Sequence, residues 1–193
     1  MQDEKDLEII SHLQEDGRRS LSVIEKKIGL SSVAIWKRLK KLLAKKVIKI
    51  SANINVTKLF PKVGIINAEI ENYNIMESLI SKYENCPRKL LMFTYGGSNL
   101  ITVLVGEDSS TLDCVIGNCS VRVQEGVRRS DVTIGEFPTH PDFFLPIIFP
   151  KEVSDEVGPC EIRCEICQSY KDKKCLGCPA TIFYKKNPKF KRP

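Results

Sequence analysis

Gly29-Leu30-Ser31 interrupts an otherwise helical pattern, and that interruption decides what the start of the chain can become. Before it Leu21, Ile24 and Ile28 recur at helical spacing, and after it Ile35, Leu39 and Leu42 do the same. The pattern predicts a helix, a tight turn and a second helix, with a glycine where the chain reverses and Ser31 or Ser32 as the cap of the second helix. If Ile35, Leu39 and Leu42 point inward, Trp36, Lys37, Lys40 and Lys41 are left outward with Arg38 at the flank. A lysine-rich face is also what any solvated helix shows. What favours double-stranded DNA as its partner is the combination of turn, capping serine, basic second helix and the following Val47-Ile48-Lys49-Ile50, read as the first strand of a wing.

The charge of the whole chain, +6, conceals a division. Residues 1–62 carry 14 Lys and Arg against 7 Asp and Glu, residues 63–159 carry 7 against 14, and residues 160–193 carry 9 against 3. Basic ends suit a polyanion, whereas the acidic middle is a poor surface for phosphate. With 193 residues and 42% hydrophobic content the chain can bury one or two real cores. No run is long enough to cross a bilayer, and the acidic start MQDEKDLEII does not read as a signal peptide, so the expected location is cytoplasmic, with no membrane partner.

Asp3 to Glu15 places Leu7, Ile10 and Leu13 on one stripe of a helix that Gly17 ends, the support that a helix-turn-helix needs. His12 reads as a surface residue of that helix. Ala52 to Val56 is expected to be the return strand of the wing, and Pro61 closes a short linker. The first domain is therefore assigned to residues 1–62.

Taken together, Asp6 to Gly17, Ile28-Gly29-Leu30-Ser31, Lys37-Arg38-Leu39, Leu42 and Val47-Ile48 resemble the N-terminal domain of the Lrp/AsnC family of prokaryotic transcription regulators. The similarity continues more weakly to about Phe137. The resemblance implies that the second helix of the pair lies in the major groove. Ser32, Val33, Trp36 and Lys37 would then lie near base edges and Arg38 and Lys40 near phosphates, with Ser31 and Lys41 completing the candidate DNA-binding set. Trp36 departs from the small or polar residue usual in the family. It either wedges against thymine methyls or packs on a neighbouring helix.

From Val63 the pattern reads strand, helix, strand, strand, helix, strand. Val63 to Glu71 alternates, and Ile75, Leu79 and Ile80 form a helical stripe that ends near Tyr83. Leu90 to Thr94 and Leu100 to Val105 flank Gly96-Gly97-Ser98-Asn99; a helix capped by Ser109 or Ser110 runs to about Ile116; and Val121 to Ile134 holds the last strand. This is a ferredoxin-like βαββαβ order over residues 63–137, giving an α+β chain. It resembles the effector and dimerisation domain of the same family, and Gly126 to Ser130 resembles the lead into that domain's last strand. The resemblance implies a homodimer or higher oligomer paired through the sheets, and a small-molecule effector bound near Gly96, Gly97, Ser98 and Asn99. Asn99 is neutral where the family commonly has an acidic residue, so an amino-acid amine lacks its counter-charge there. The commoner use of such glycines is a plain hairpin.

Residues 138–159 interleave prolines with large apolar side chains and read as an extended connector that includes His140. Residues 160–193 carry five of the eight cysteines. Cys164-x2-Cys167 and Cys175-x2-Cys178 form two knuckles, and four thiolates in that spacing suit zinc. So short a tail has too little apolar surface to fold alone, so the metal would supply its folding energy. Cys160 either substitutes for Cys164, stands by as a redox-sensitive thiol, or signals an iron–sulfur cluster in place of zinc. Disulfides fit a reducing compartment least. Cys114 and Cys119 read as buried small hydrophobes. The chain ends with Tyr184 and Phe190 among Lys185, Lys186, Lys189, Lys191 and Arg192, a basic terminus suited to phosphate or merely to water.

These observations point to a sequence-specific, non-enzymatic DNA-binding regulator with a zinc-stabilised tail that senses metal or redox state. A tetrapyrrole-handling enzyme related to the sirohaem decarboxylases, which resemble the same two-domain family, is the alternative. His12 and His140 are the only histidines, however, and neither falls on the middle sheet. A zinc-bearing protein–protein adaptor remains open for the tail.

Overall fold

The structure is a computed structural model that describes residues 3–138, 144–146 and 153–185. His140, Lys186, Lys189, Phe190, Lys191 and Arg192 lie outside the described residues. Two compact units divide the chain, Met1–Ala52 and Asn53–Pro193.

The first unit holds three helices, α1 (Glu4–Glu15), α2 (Leu21–Ile28) and α3 (Ser32–Ala44). Asp3 caps α1 by accepting from the Asp6 amide. The buried stripe of α1 runs through Ile9, which meets Ile24, Ile28 and Ile35 in a closed cluster bordered by Leu13, Leu21 and Leu30. Leu7, expected on that stripe, is exposed, because Ile9 and Leu13 complete the i, i+4 row that faces the other two helices. Gly29 ends α2 in the left-handed region at φ 68°, its N–H donating to Glu25 O at 3.1 Å.

The wing strands do not form. Lys46, at φ 54°, stops α3 in a Schellman arrangement, with Lys46 N–H donating to Leu43 O and Val47 N–H to Leu42 O, both at 3.0 Å. Residues 47–53 then run without a strand partner. Of the expected return strand only β1 (Ile54–Asn55) exists. It pairs antiparallel with β6 (Phe144–Leu145) inside the second unit. The short α4 (Val56–Leu59) follows, and Val56 and Phe60 are buried with Val105. The units therefore separate before this segment rather than after Pro61.

The second unit is built on β2 (Lys62–Ile70), α5 (Tyr73–Lys82), β3 (Lys89–Tyr95), β4 (Asn99–Gly106), α6 (Ser109–Cys114) and β5 (Val127–Glu136). The antiparallel sheet has order β3-β4-β2-β5, as a ferredoxin-like βαββαβ unit requires. One face buries Ile66, Ala68, Ile70, Leu100 and Leu104 under Met76 and Leu79 of α5 and Leu112 of α6. Met76, not Ile80, completes the buried stripe of α5, and Ile80 is exposed. Asp108, rather than either serine, caps α6 by accepting from the Thr111 amide at 2.7 Å. The last strand begins only at Val127, after a π-helical turn (Val115–Cys119) and a 3₁₀ turn (Val121–Val123).

Residues 153–185 are part of this same unit. Cys160 is buried in the main core with Ile162 against it. A bridge between Val157 and Arg163, a 3₁₀ turn (Cys164–Ile166) and the short α7 (Gln168–Lys171) give the segment its shape. No helix among the described residues is long and apolar enough to cross a membrane.

Candidate nucleic-acid interface and cysteine cavity

The first site is the outer face of α3. Ser31 Oγ accepts from the Ala34 amide at 3.3 Å, so Ser31 is the cap. Ser32 is tied down differently: its amide donates to Glu25 Oε2 at 3.0 Å and its hydroxyl donates to the same oxygen. Glu25 thus places a carboxylate at the positive N-terminus of α3 and locks the turn. Beyond this anchor, Val33 is 64% and Trp36 46% exposed, and Lys37, Lys40 and Lys41 are open to solvent. Lys40 Nζ stands 5.3 Å from the Trp36 ring centroid, so the indole lies on the exposed face under a cation. Arg38 is held instead by α1, with Nη1 2.6 Å from Asp3 Oδ2 and 2.9 Å from Asp6 Oδ1. The Asp3 carboxyl sits below its usual range because Arg38 and the Asp6 amide hydrogen-bond to it. Arg19 Nη1 lies 2.9 Å from His12 Nδ1, which makes this nitrogen the acceptor and puts the ring proton on Nε2.

At the far end of the sheet, Gly96 and Gly97 take positive φ values of 58° and 81° and form the β3–β4 hairpin turn. The Ser98 carbonyl accepts from Ile70 N at 2.7 Å, which fastens the loop to β2. Asn99 borders a shallow depression of about 230 Å³ together with Asn67, Glu69, Arg129 and Asp131. The charges Asn99 lacks are therefore present beside it.

The third site is a cavity whose lining includes all eight cysteines. The metal set expected from the sequence, Cys164, Cys167, Cys175, Cys178 and Cys160, faces it. So do three cysteines that the tail motif did not include, Cys86, Cys114 and Cys119. They form no disulfide. Cys114 Sγ lies 3.8 Å from Cys167 Sγ, and the Asn118 side-chain amide donates to Cys114 Sγ at 3.5 Å. In an α-helix residues five apart would point about 140° away from each other. The π turn Val115–Cys119 is wider, and it brings Cys119 round to the side of Cys114. Cys119 and Cys160 both line the cavity, and burial pushes the Cys178 thiol up to about 12. A Cβ at Gly158 would stand 3.4 Å from Cys160 Sγ and 3.5 Å from Cys178 Sγ, so both sulfurs converge on one glycine.

Two further features mark the cavity. Gly177 N–H donates to Cys175 Sγ at 3.4 Å within the second knuckle. Buried Arg88, which also lines the cavity, lowers the cost of negative sulfur at Cys86, Cys175 and Cys178. Among the described residues no group of three or more His, Cys, Asp or Glu side chains already stands in metal-binding geometry. The signal for Cys114 and Cys119 could not come from spacing, since a five-residue step only brings two side chains together across a π turn.

A capped helix-turn-helix with an open basic helix, followed by a ferredoxin-like sheet domain, defines the architectural class. Residues 3–43 match the sequence model of the AsnC-type helix-turn-helix domain, so the first unit contains a domain of that type. Over about three quarters of the chain the fold is that of AsnC/Lrp regulators. AsnC of E. coli is 17% identical at a TM-score of 0.59, over 72% of this chain and 95% of that one. LrpC of B. subtilis is 20% identical at a TM-score of 0.56, over 72% and 99%. A transcriptional regulator of Neisseria meningitidis, solved in complex with L-Met, is 18% identical at 0.59, over 76% and 97%. No curated protein sequence matches the chain.

Proposed function

We propose that the chain is a sequence-specific DNA-binding transcription regulator of the Lrp/AsnC type that acts in the cytoplasm as a homodimer or higher oligomer. The observation that carries this reading is the outer face of α3, where Val33, Trp36, Lys37, Lys40 and Lys41 stand open beside a capped and locked helix start. In the major groove such a face offers an indole and a valine to thymine methyls and lysines to phosphates or guanine edges. The test is binding of the full chain to labelled duplex DNA, including its own promoter region, across a salt series. Binding should weaken steeply with salt, Lys40→Ala should lower the salt slope by about one, and Trp36→Ala should cost affinity for the preferred sequence most. Salt-independent or absent duplex binding would overturn the reading.

Oligomerisation is supported by the uncovered sheet face. Leu91, Phe93, Val103, Ile101 and Ile65 lie on it in adjacent cross-strand positions, and Leu91 is 51%, Phe93 44% and Ile65 42% exposed. An apolar patch beside the edge strand β3 is what a second copy covers. The depression beside Asn99 is the place for a small-molecule effector with both charges, since it offers Glu69, Asp131 and Arg129.

The tail completes the reading as a zinc-bound module whose metal loading or oxidation adjusts DNA affinity. Five thiols beside a basic end support it. A Cys164→Ser, Cys167→Ser double variant should lose the response of DNA affinity to oxidant that the parent chain shows.

A further inference from the structure

We propose that the metal centre is not confined to the tail: the three cysteines of the sheet domain and the five of the tail form one composite centre for two soft d¹⁰ divalent ions of the zinc class. The inference deepens the reading of the tail as a thiolate metal site and is independent of the DNA reading.

The number of sulfurs is the first argument. A structural zinc takes four thiolates, so eight thiols around one cavity match two ions, and a tail-only site leaves Cys86, Cys114 and Cys119 beside it without a role. The second is distance. Thiolates bound tetrahedrally with bonds of about 2.3 Å sit about 3.8 Å apart, the separation between Cys114 Sγ and Cys167 Sγ. These residues belong to different segments, so a tetrahedron that includes both must be shared.

The third argument is the surroundings of the sulfurs. Cys175 receives the Gly177 amide N–H at 3.4 Å, a contact that in a knuckle stabilises sulfur as thiolate. Arg88, paired with Glu107, lines the cavity, and its Nη2 donates to the Gly177 carbonyl at 2.8 Å within the second knuckle. Leu104, Val115 and Ile162 give the rest of the lining an apolar side. On binding, each thiol would release its proton to solvent as its sulfur becomes a ligand. Cys114 lies with Cys167 of the first knuckle, while Cys160 and Cys178 converge at Gly158.

The experiment is metal content and cobalt(II) titration of the full chain, with Cys114→Ser, Cys119→Ser in one variant and Cys175→Ser, Cys178→Ser in another. Alkylation of the zinc-loaded parent chain, read by mass spectrometry, serves as a measurement that needs no variant. The expected result is about two ions per chain with the charge-transfer band of tetrahedral thiolate cobalt, loss of at least one ion in each variant, and protection of all eight cysteines. One ion per chain that survives Cys114→Ser, Cys119→Ser, with Cys86, Cys114 and Cys119 alkylated at the rate of the metal-free chain, would overturn the composite centre and leave the tail site standing. No cobalt or zinc bound at all would overturn both.

Discussion

The Arg88 guanidinium grips the Glu107 carboxylate with two hydrogen bonds, Nη1 to Oε2 at 2.6 Å and Nη2 to Oε1 at 3.1 Å, and both side chains are closed to water. Two tail groups complete the network: the Gly177 carbonyl accepts from Arg88 Nη2, and the Tyr184 hydroxyl donates to Glu107 Oε1 at 2.7 Å. Here a buried charged network joins the tail to the sheet domain, beside the apolar contact that Cys160 and Ile162 make with the core. Arg88→Met should therefore destabilise the second unit by about 3 to 5 kcal/mol, because it strands a buried carboxylate. Arg88→Met with Glu107→Leu should cost less than Arg88→Met alone. Urea unfolding of the full chain, followed by far-ultraviolet circular dichroism, checks both.

The two ends of α3 make opposite predictions. Ser31→Ala removes the cap on the Ala34 amide and should cost about 1 kcal/mol. Lys46→Gly relieves a side chain held at φ 54° without touching the two Schellman hydrogen bonds, and should stabilise the first unit by about 1 kcal/mol. Thermal unfolding of each variant against the parent gives both signs.

Arg38 lies on the flank of the recognition face, but Asp3 and Asp6 hold its guanidinium. Arg38→Ala should weaken DNA binding less than Lys40→Ala does, measured in the same salt series. Its effect should appear in the titration of Asp3. With its folded value lowered, Asp3 contributes stability that is present above its unfolded value and is lost as pH falls through the lowered one. Removing Arg38 should move the Asp3 titration back toward the ordinary carboxylate range, which carboxyl-detected NMR would show.

The helix-turn-helix and the order of the sheet strands were legible because each rests on local periodicity: Ile24, Ile28, Ile35 and Leu39 are buried, and Gly29 is where the chain turns. What was not legible depends on partners distant in sequence. Val47 to Ile50 has strand composition but no neighbour to pair with, whereas Ile54 finds Leu145 far along the chain. Ser32 was expected near base edges, but its hydroxyl goes to Glu25, seven residues earlier on another helix. Cys114 and Cys119 read as core because a period of 3.6 does not bring them together; the π turn does. The tail motif gave the five sulfurs of Cys160 to Cys178 but not the surface they face.

The sheet face yields the last prediction. On β3 the side chains of Leu91, Phe93 and Tyr95 stand out from the sheet opposite Val103, Ile101 and Asn99 of β4, so the apolar corner grades into a polar one at the hairpin end. Tyr95 marks the change, its hydroxyl donating to Asn67 Oδ1 at 2.8 Å. A charge at the centre of the apolar corner should prevent a second copy from covering it, whereas the polar end should tolerate one. Phe93→Glu is therefore expected to shift the full chain toward monomer in sedimentation velocity, and Asn99→Asp at the polar hairpin end to do so less. Because Phe93 is already partly exposed, the change should leave the melting temperature of the monomer nearly unaltered, which separates loss of association from loss of folding. An unchanged oligomer in Phe93→Glu would place the interface on another surface.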